Sequence, residues 1–425
     1  MRQIEKLKRT STLIFFSSLC STVSANSIQS YLEAGTFSGE IRNMYVLGSH
    51  ADTLKEAGAL NNAKVGTSAI SVLYETPERQ GLKFGFGFQS GYDWGIHDES
   101  TGLTPQGGED DPRVSLSTTE INKAYIDYTF TPELTNSNVK LGRQEIITPL
   151  VMNSPAFPLR DSFDALVLTN KDLADTTLKL MYIDSWIMRY GDEALPSIYQ
   201  QNKYFDDDVY SIYLRNKSVP GLDIEAQWFA FDNATTAADL PSSITNEPYD
   251  TSFIGINYTI PDSTWLIGWK HLNANYDNSA DASYWGVKAE TRFSNVFARL
   301  AYTSVDDQRT FPGTLGHVPQ FKAYRLTFVD EIYAGMDSTS LMLSSSFNVP
   351  GFMARAVYVD WKQSDAGIAA SGRNFDGGSE LSFDFKYKFQ SQQGLSTRFR
   401  LAQLDYDQSG DDDLTYMRLY LNYKF

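Results

Sequence analysis

The chain has 425 residues, a formal net charge of −16, and an aromatic content of 14% in which Tyr and Phe far outnumber Trp. Its mean hydropathy is −0.33, and beyond the amino terminus no run of about 18 apolar residues occurs, which excludes a membrane protein built from helices. The acidity argues against a nucleic-acid partner and against anionic substrates attracted by the bulk field, but it does not fix the charge inside a pore. High aromatic content with low hydropathy is typical of strands that face lipid on one side and water on the other.

Residues 1–25 have the pattern of a secretory signal peptide. An apolar segment, 11–19, is too short to span a membrane and is followed by the small-residue cleavage pattern Val23-Ser24-Ala25. The basic residues that precede it are Arg2, Lys6, Lys8 and Arg9. Cleavage removes these residues together with Glu5 and the single cysteine, Cys20. We therefore expect a mature chain, 26–425, with one domain, no disulfide and a net charge of about −19.

Eighteen segments of the mature chain alternate apolar and polar residues at the period of two that is typical of a half-exposed strand. In the clearest one, 82–94, Phe84, Phe86 and Phe88 share one face while Lys83 and Gln89 lie on the other. The predicted strands are 39–47, 63–74, 82–94, 119–130, 138–145, 163–170, 176–186, 208–216, 222–231, 250–260, 264–272, 283–293, 295–303, 339–347, 352–362, 379–389, 395–405 and 414–425. The predicted fold class is therefore all-β, a transmembrane antiparallel β-barrel.

Short and long connectors follow each other in turn, which is the rhythm of short periplasmic turns and longer external loops. One segment is ambiguous. Residues 321–329 also alternate, but a nineteenth strand would force two neighbouring strands to run in the same direction through a short connector. We therefore assign 304–338 to one long external loop.

The last strand, 414–425, places one apolar face opposite a polar one and ends on an aromatic residue. Its face toward lipid includes Leu421, Tyr423 and Phe425. A terminal strand of this form resembles the signal that outer-membrane barrels present to the β-barrel assembly machinery. The resemblance implies recognition of these three residues during assembly.

Several stretches resemble the OprD-type outer-membrane porins and the related major porins of epsilonproteobacteria. These stretches, in chain order, are 35–45 (GTFSGEIRNMY), 141–145 (LGRQE) with Thr148-Pro149, 157–163 (FPLRDSF), 348–358 (NVPGFMARAVY) and 394–400 (GLSTRFR) before the terminal strand. Each motif is degenerate alone, and their order carries the resemblance. It implies an eighteen-stranded, trimeric porin of the bacterial outer membrane whose third loop folds inward. It also implies passive passage of small charged nutrients, such as amino acids, peptides or carboxylates, along a ladder of basic side chains.

The third loop, 146–162, is rich in proline and apolar residues, which suits a loop that packs against the inner wall. Charged residues flank it, and a narrow pore selects solutes by such charges. The predicted constriction residues are Arg143, Glu145, Arg160, Asp161 and Asp164. The alternative is a loop at a subunit contact, with the charges paired to each other.

Basic residues also recur on the polar phase of the predicted strands. They are Arg42, Lys288, Arg292, Arg299, Arg355, Lys386, Arg398, Arg400 and Arg418. Closure of the barrel brings the first strand beside the last, so those near the two termini should be neighbours. This predicted basic wall either guides solutes or only neutralises acidic residues of the inner surface such as Glu40, Glu290, Asp384 and Asp405.

Four acidic runs, 109–111, 206–208, 306–307 and 411–413, fall in predicted outer loops. Such carboxylates can bind Ca²⁺ or bridge divalent ions to lipopolysaccharide phosphates, but none has EF-hand spacing, so solvated charge is the simpler interpretation and no cofactor or structural metal is expected. The acidic loops and the net charge favour weak cation selectivity, whereas the basic wall favours anions.

No catalytic residues are predicted. The four histidines, His50, His97, His271 and His317, lie near predicted external strand ends, but no motif links any of them to a nucleophile. The alternatives to a porin are a surface adhesin or structural barrel and, less well supported, an outer-membrane hydrolase.

Overall fold

The structure, a computed structural model, describes most of the chain. The described residues are 25–49, 63–96, 118–153, 157–188, 202–231, 248–311, 314–315, 321, 332–372, 374, 377–406 and 414–425. The predicted signal peptide therefore lies outside the described residues, apart from Ala25.

Eighteen antiparallel strands form one closed sheet, which confirms the predicted barrel and its strand number. Each strand pairs with its neighbours in sequence, and β1 pairs with β18 to close the sheet. The strands are β1 (Thr36–Ser49), β2 (Ala63–Glu75), β3 (Leu82–Asp93), β4 (Thr118–Thr129), β5 (Ser137–Gln144), β6 (Ser162–Asn170), β7 (Thr176–Ile187), β8 (Asn202–Asn216), β9 (Leu222–Phe231), β10 (Tyr249–Thr259), β11 (Leu266–Tyr276), β12 (Ala282–Phe293), β13 (Val296–Val305), β14 (Met336–Ser345), β15 (Phe352–Gln363), β16 (Gly377–Lys388), β17 (Leu395–Tyr406) and β18 (Leu414–Lys424).

The two faces of the wall differ as the alternation predicts. On β3, Phe86 and Phe88 are exposed on the outer side, whereas Gln89 is buried inside the barrel. On β14 the exposed outward residues include Leu341 and Leu343, with Asp337 and Thr339 nearer the loop end. Closure removes every sheet edge, so the strand backbone groups are paired even where the outer surface is apolar.

Both termini lie at the end of the barrel that carries the short turns, which we call the turn end; the opposite end is the loop end. At the turn end, a helix, α1 (Ala25–Glu33), precedes β1. The Tyr74 hydroxyl donates a hydrogen bond to the Leu32 carbonyl at 2.5 Å, and the Tyr31 hydroxyl donates to the Pro77 carbonyl at 2.7 Å. These bonds attach α1 to the first turn.

A second helix, α2 (Asp365–Ser371), lies in the connector between β15 and β16, where the sequence predicted only a loop. The Ser364 side chain caps its amino terminus, and Gly372 ends it in the left-handed conformation. Among the described residues, no helix has the length and apolarity needed to cross a membrane.

One strand boundary and one loop assignment are corrected. β8 begins at Asn202 instead of 208, because pairing with β7 resumes beyond a bulge between Ile183 and Ser185. The acidic run 206–208 therefore belongs to a strand and not to an outer loop. The runs 109–111 and 411–413 lie outside the described residues.

Candidate solute pathway

The third loop folds into the barrel, as predicted, and its first arm, 145–153, crosses the lumen to β9. Gln227 of β9 fixes this arm: its Oε1 accepts from the Leu150 backbone N–H at 2.8 Å, and its Nε2 donates to the Thr148 hydroxyl at 3.0 Å. Leu150 and Val151 are fully buried there. Because these side chains pack on the inner faces of β6 to β12, the arm fills that side of the lumen.

The second arm, 157–161, returns along the opposite wall. The Arg42 guanidinium donates to the Phe157 carbonyl at 2.7 Å, and Gln89 of β3 exchanges two hydrogen bonds with the backbone of Arg160, at 2.8 and 3.0 Å. The Arg160 side chain pairs with Glu40 at 3.2 Å, and Arg42 pairs with the same carboxylate at 2.8 Å. The loop is thus held by β9 on one side and by β1 and β3 on the other.

The connector between β13 and β14 also enters the lumen, so the assignment of 304–338 to an external loop is wrong for its described part. Leu315 forms a parallel bridge with Val151, and its carbonyl accepts from the Met152 N–H at 2.8 Å. Phe311, Leu315 and Ile332 are buried in the same apolar cluster as the third loop. Its described residues, 306–311, 314–315, 321 and 332–335, contain no strand; residues 322–329 of the alternating segment lie outside the described part.

Phe321 shows how deeply this connector reaches. Its backbone N–H donates to the Tyr284 hydroxyl of β12 at 3.0 Å. The Lys270 ammonium lies 4.0 Å from the centre of the Phe321 ring, which is a cation–π contact. The third loop and this connector together make the loop-end part of the β6 to β13 half largely apolar, whereas inward charged residues such as Glu225, Lys288 and Glu290 lie nearer the turn end.

The opposite half is lined by charged side chains of β14 to β18 and β1. Arg398 makes two hydrogen bonds to Asp384, both 2.8 Å long, and Arg355 approaches the same carboxylate at 3.8 Å. The Arg418 Nε donates to the Tyr416 hydroxyl at 3.1 Å, and its guanidinium lies 5.4 Å from the centre of the Phe157 ring of the third loop. This surface therefore touches the second arm of the loop.

Basic residues outnumber acidic ones on this half of the wall. The inward basic residues of β14 to β18 and β1, up to the loop contact, include Arg42, Arg355, Lys386, Arg398, Arg400 and Arg418, and the inward acidic residues are Glu40, Glu380 and Asp384. The structure thus brings together most of the predicted basic wall. Lys288 and Arg299 lie elsewhere, on β12 and β13, where both bind Glu290 at 2.9 and 2.6 Å; Arg292 is exposed near the turn end of β12.

Three of the five predicted constriction residues lie inside the barrel. Glu145 pairs with Lys123 of β4 at 2.7 Å and accepts from Asn153 at 2.6 Å. Arg160 reaches Glu40, as described above. Asp161 is fully buried and accepts a hydrogen bond from the Trp186 indole at 3.3 Å, so it fixes the loop and does not face open water.

Arg143 and Asp164 do not belong to the constriction, and this part of the prediction is corrected. They face each other across β5 and β6 with two hydrogen bonds of 2.9 and 2.8 Å. They share the outward phase with the exposed residues Leu141 and Leu166, whereas Gly142 and Ala165 between them face inward. The flanking position in sequence was right, but the strand parity turns both side chains away from the lumen.

Sequence reasoning missed the residues that hold the third loop in place. Gln89 and Gln227 are buried amides on the inward phase of β3 and β9. The signal that could have found them is a glutamine at an inward position whose neighbour on that phase toward the loop end is small or apolar, Gly91 on β3 and Phe229 on β9. A buried amide there needs partners, and the loop supplies them.

The terminal residues Leu421, Tyr423 and Phe425 are exposed on the outer face of β18. Backbone hydrogen bonds of 2.9 and 3.0 Å join Phe425 to Gly39 of β1, so the last residue takes part in closure. Their recognition by an assembly machinery stays a prediction.

Of the four histidines, only His271 lies within the described residues. It is on the outward phase of β11, stacked on Trp269 and hydrogen-bonded to Ser283 at 3.2 Å. In the described part of the chain, no cluster of three or more His, Cys, Asp or Glu residues could hold a metal ion. Asp307 of the acidic run 306–307 instead accepts from the Ser364 hydroxyl.

Comparison with known structures supports the same architecture. The barrel is similar to the crystal structure of Pseudomonas aeruginosa OccK9 (OpdG), with a TM-score of 0.71 and 14% identity; the match covers 93% of this chain and 99% of that one. It is similar to the crystal structure of Acinetobacter baumannii OccAB4, with a TM-score of 0.70 and 15% identity; the match covers 92% of this chain and 98% of that one. It is also similar to the crystal structure of P. aeruginosa OpdK with vanillate, with a TM-score of 0.69 and 13% identity; the match covers 93% of this chain and 99% of that one. These likenesses show the fold.

No curated protein sequence matches this chain. A family model described as outer membrane porin, OprD family, matches residues 29–425. This match covers most of the chain, and the observed barrel, inward loop and charged lumen agree with it. The chain therefore belongs to the OprD family of outer-membrane porins.

Proposed function

We propose that this porin conducts small anionic and zwitterionic solutes, such as carboxylates and amino acids, by passive diffusion along its basic wall. The observation that carries the proposal is the excess of inward Arg and Lys residues on β14 to β18 and β1. The opposite half of the lumen is packed with apolar side chains from two inward segments. Solutes that pass these two segments therefore follow mainly the basic wall.

Guanidinium groups suit such a path because each offers several donors in a planar fork that matches a carboxylate. Asp384 already shows the geometry, since it accepts two bonds from Arg398. A passing carboxylate would exchange part of its hydration shell for similar contacts and move from one cation to the next. The related OpdK structure contains vanillate, itself a carboxylate, which is consistent with this chemistry.

Net charge alone favours the opposite preference. The chain carries −16, from which weak cation selectivity was expected. We infer that the sign inside the pore follows the lumen face instead, because charges in the external loops act through high-dielectric solvent and are screened within about 8 Å at physiological salt.

The test is single-channel recording in planar bilayers, with the reversal potential measured under a salt gradient. We expect an open channel whose reversal potential indicates anion preference. Conductance with cation preference would refute the role of the basic wall while leaving the porin in place. Absence of conductance over many insertions would refute passive diffusion altogether and return attention to the adhesin or hydrolase alternatives.

We also infer the partners that the family resemblance implied. Residues 1–25 direct export, the terminal residues Leu421, Tyr423 and Phe425 are read by the β-barrel assembly machinery, and the folded chain contacts lipopolysaccharide and assembles as a homotrimer. The exposed aromatic end of β18 supports the second of these statements. Three equal conductance steps for each insertion event would support the trimer.

A further inference from the structure

The outer surface of the barrel carries an ion pair where an apolar surface is expected. Arg143 and Asp164 face outward on β5 and β6, and their side chains are 23% and 28% exposed. The neighbouring outward residues Leu141 and Leu166 are 50% and 41% exposed, as a lipid-facing surface should be. The ion pair is therefore on the membrane side of the wall.

The depth of the ion pair in the membrane determines how unfavourable its contact with lipid is. β5 and β6, with 8 and 9 residues, are the shortest strands of the barrel, and the third loop begins just above them. From Ser137 at the turn end to Arg143, the wall rises about 15 Å at about 3.3 Å per residue and a tilt of about 40°. The apolar band of such barrels is about 25 Å tall, so the pair lies near its middle.

The pair belongs to a wider polar area on the same side. The Arg143 guanidinium also donates to the Ile121 carbonyl at 2.9 Å, and the Ser185 hydroxyl donates to Asp164 at 2.8 Å. On β3 and β4 the outward hydroxyls of Ser90 and Thr119 lie 2.6 Å apart. On the opposite side of the barrel, the outward positions near mid-strand include the exposed residues Leu300, Leu341 and Leu343, and the outward charges, Asp337, Asp360 and Lys362, lie nearer the loop end.

Lipid is a poor neighbour for this area. An Arg or Lys that faces lipid at the membrane midplane destabilises a barrel, and the exposed part of an ion pair still needs polar surroundings. Lipopolysaccharide carries its phosphates and sugars at the outer surface and cannot supply them at midplane depth. A protein surface can supply polar surroundings at this depth. Another copy of this chain presents both charges and hydroxyls at the same height.

We infer that the outer face of β3 to β6, centred on the Arg143–Asp164 pair, is the contact between copies of this porin. The inference rests on the homotrimer proposed above and names the side of the barrel that forms it. In a cyclic assembly every copy uses the same side, so the opposite side, with the outward leucines of β13 and β14, remains in lipid. The flanking residues Leu141 and Leu166 then become part of a protein interface.

The experiment is site-specific photocrosslinking in cells with p-benzoylphenylalanine. It replaces Leu141 or Leu166 in the proposed contact and, as matched controls, Leu300 or Leu341, which are similarly exposed leucines on the other side. We expect covalent dimers of the chain from the first two positions and none from the controls. Copy-to-copy adducts from the controls alone, or adducts of positions 141 and 166 with lipopolysaccharide or another protein instead of a second copy, would overturn the inference.

A second variant tests the ion pair itself. The double substitution Arg143→Leu with Asp164→Leu removes both charges together, which avoids an unpaired charge and allows the barrel to fold. We expect trimers that dissociate to monomers at a lower temperature, with unchanged single-channel conductance per monomer. Unchanged trimer dissociation would contradict the role of the pair.

Failure of this inference can be distinguished from failure of the proposals on which it rests. Native mass spectrometry of the unmodified protein tests the trimer, and conductance of the same preparation tests the porin. A monomer that conducts would remove both the trimer and this contact but not the porin. A trimer with adducts only from positions 300 and 341 would remove this contact alone.

Discussion

Neutralising one arginine of the basic wall should shift ion selectivity without disturbing the fold. Arg355 is the best choice, because its carboxylate neighbour Asp384 keeps both hydrogen bonds from Arg398 when Arg355 becomes Gln. Arg355→Gln therefore removes a charge without leaving a buried carboxylate unpaired. Lys362→Gln is the matched control, since Lys362 lies on the same strand, faces outward and is exposed.

The size of the shift follows from Coulomb's law. At about 7 Å in water, one unit charge changes the energy of a monovalent ion by about 0.6 kcal/mol, which is close to RT. An energy close to RT changes an occupancy about 2.7-fold. Loss of the charge lowers the anion occupancy and raises the cation occupancy by about this factor each, so the anion-to-cation permeability ratio falls about 7-fold without screening. With a Debye length of about 10 Å at 0.1 M salt, we expect a change of about 3-fold, which nearly disappears at 1 M.

The assay is the reversal potential of single channels under a salt gradient at both ionic strengths. Arg355→Gln should reduce the anion-to-cation permeability ratio at 0.1 M, while Lys362→Gln should leave it unchanged. Equal shifts from both variants would mean that total charge and not the lumen face controls selectivity. That result would refute the reasoning.

Three further predictions concern the loop, a turn and the carboxyl terminus. Gln227→Ala removes the acceptor of the buried Leu150 N–H, so we expect about 1 to 3 kcal/mol lower stability of the loop contact and noisier single-channel currents. Hydrogen bonds to Asp172, led by that from Thr135, lower the pKa of this carboxyl in a turn-end connector. The contribution of this carboxyl to stability is present above the ordinary Asp pKa of about 4 and is lost as pH falls through the lower pKa of the folded state. Asp172→Asn should therefore reduce the heat resistance of the barrel at pH 7 but not in strong acid. Heat-dependent gel migration measures this resistance. Deletion of Phe425 should lower the amount of folded barrel in outer-membrane fractions, whereas Phe425→Tyr should not; equal yields would contradict a terminal assembly signal.

The strands and their two faces could be predicted from sequence because the alternation is local. A period of two assigns each residue to one side of the wall without knowledge of its neighbours. The same rule placed Arg398, Arg400 and Arg418 on the inner face, and closure of β1 on β18 then brought them near Arg42. It also contains the reason that Arg143 faces outward, since Arg143 has the same parity as Leu141.

The course of the connectors through the lumen could not be predicted in this way. Val151 meets Leu315, and Arg42 meets Phe157, across large sequence separations, and no local pattern indicates such pairs. The sequence assigns the connector after β13 to an external loop because a nineteenth strand would force two neighbouring strands to run in the same direction. In the barrel this connector buries Phe311 and Leu315 against the third loop, and removal of their apolar surface from water stabilises this position.

The alternating sequence by itself determined an outer-membrane barrel of eighteen strands, since the pattern on each strand specifies which side meets lipid. Only the tertiary structure decided that two connectors fill one half of the lumen and that the basic wall faces the remaining space. The net charge of −16 belongs to the whole chain. The charge that a solute meets depends on the few side chains within a Debye length of its path, and these are brought together by folding.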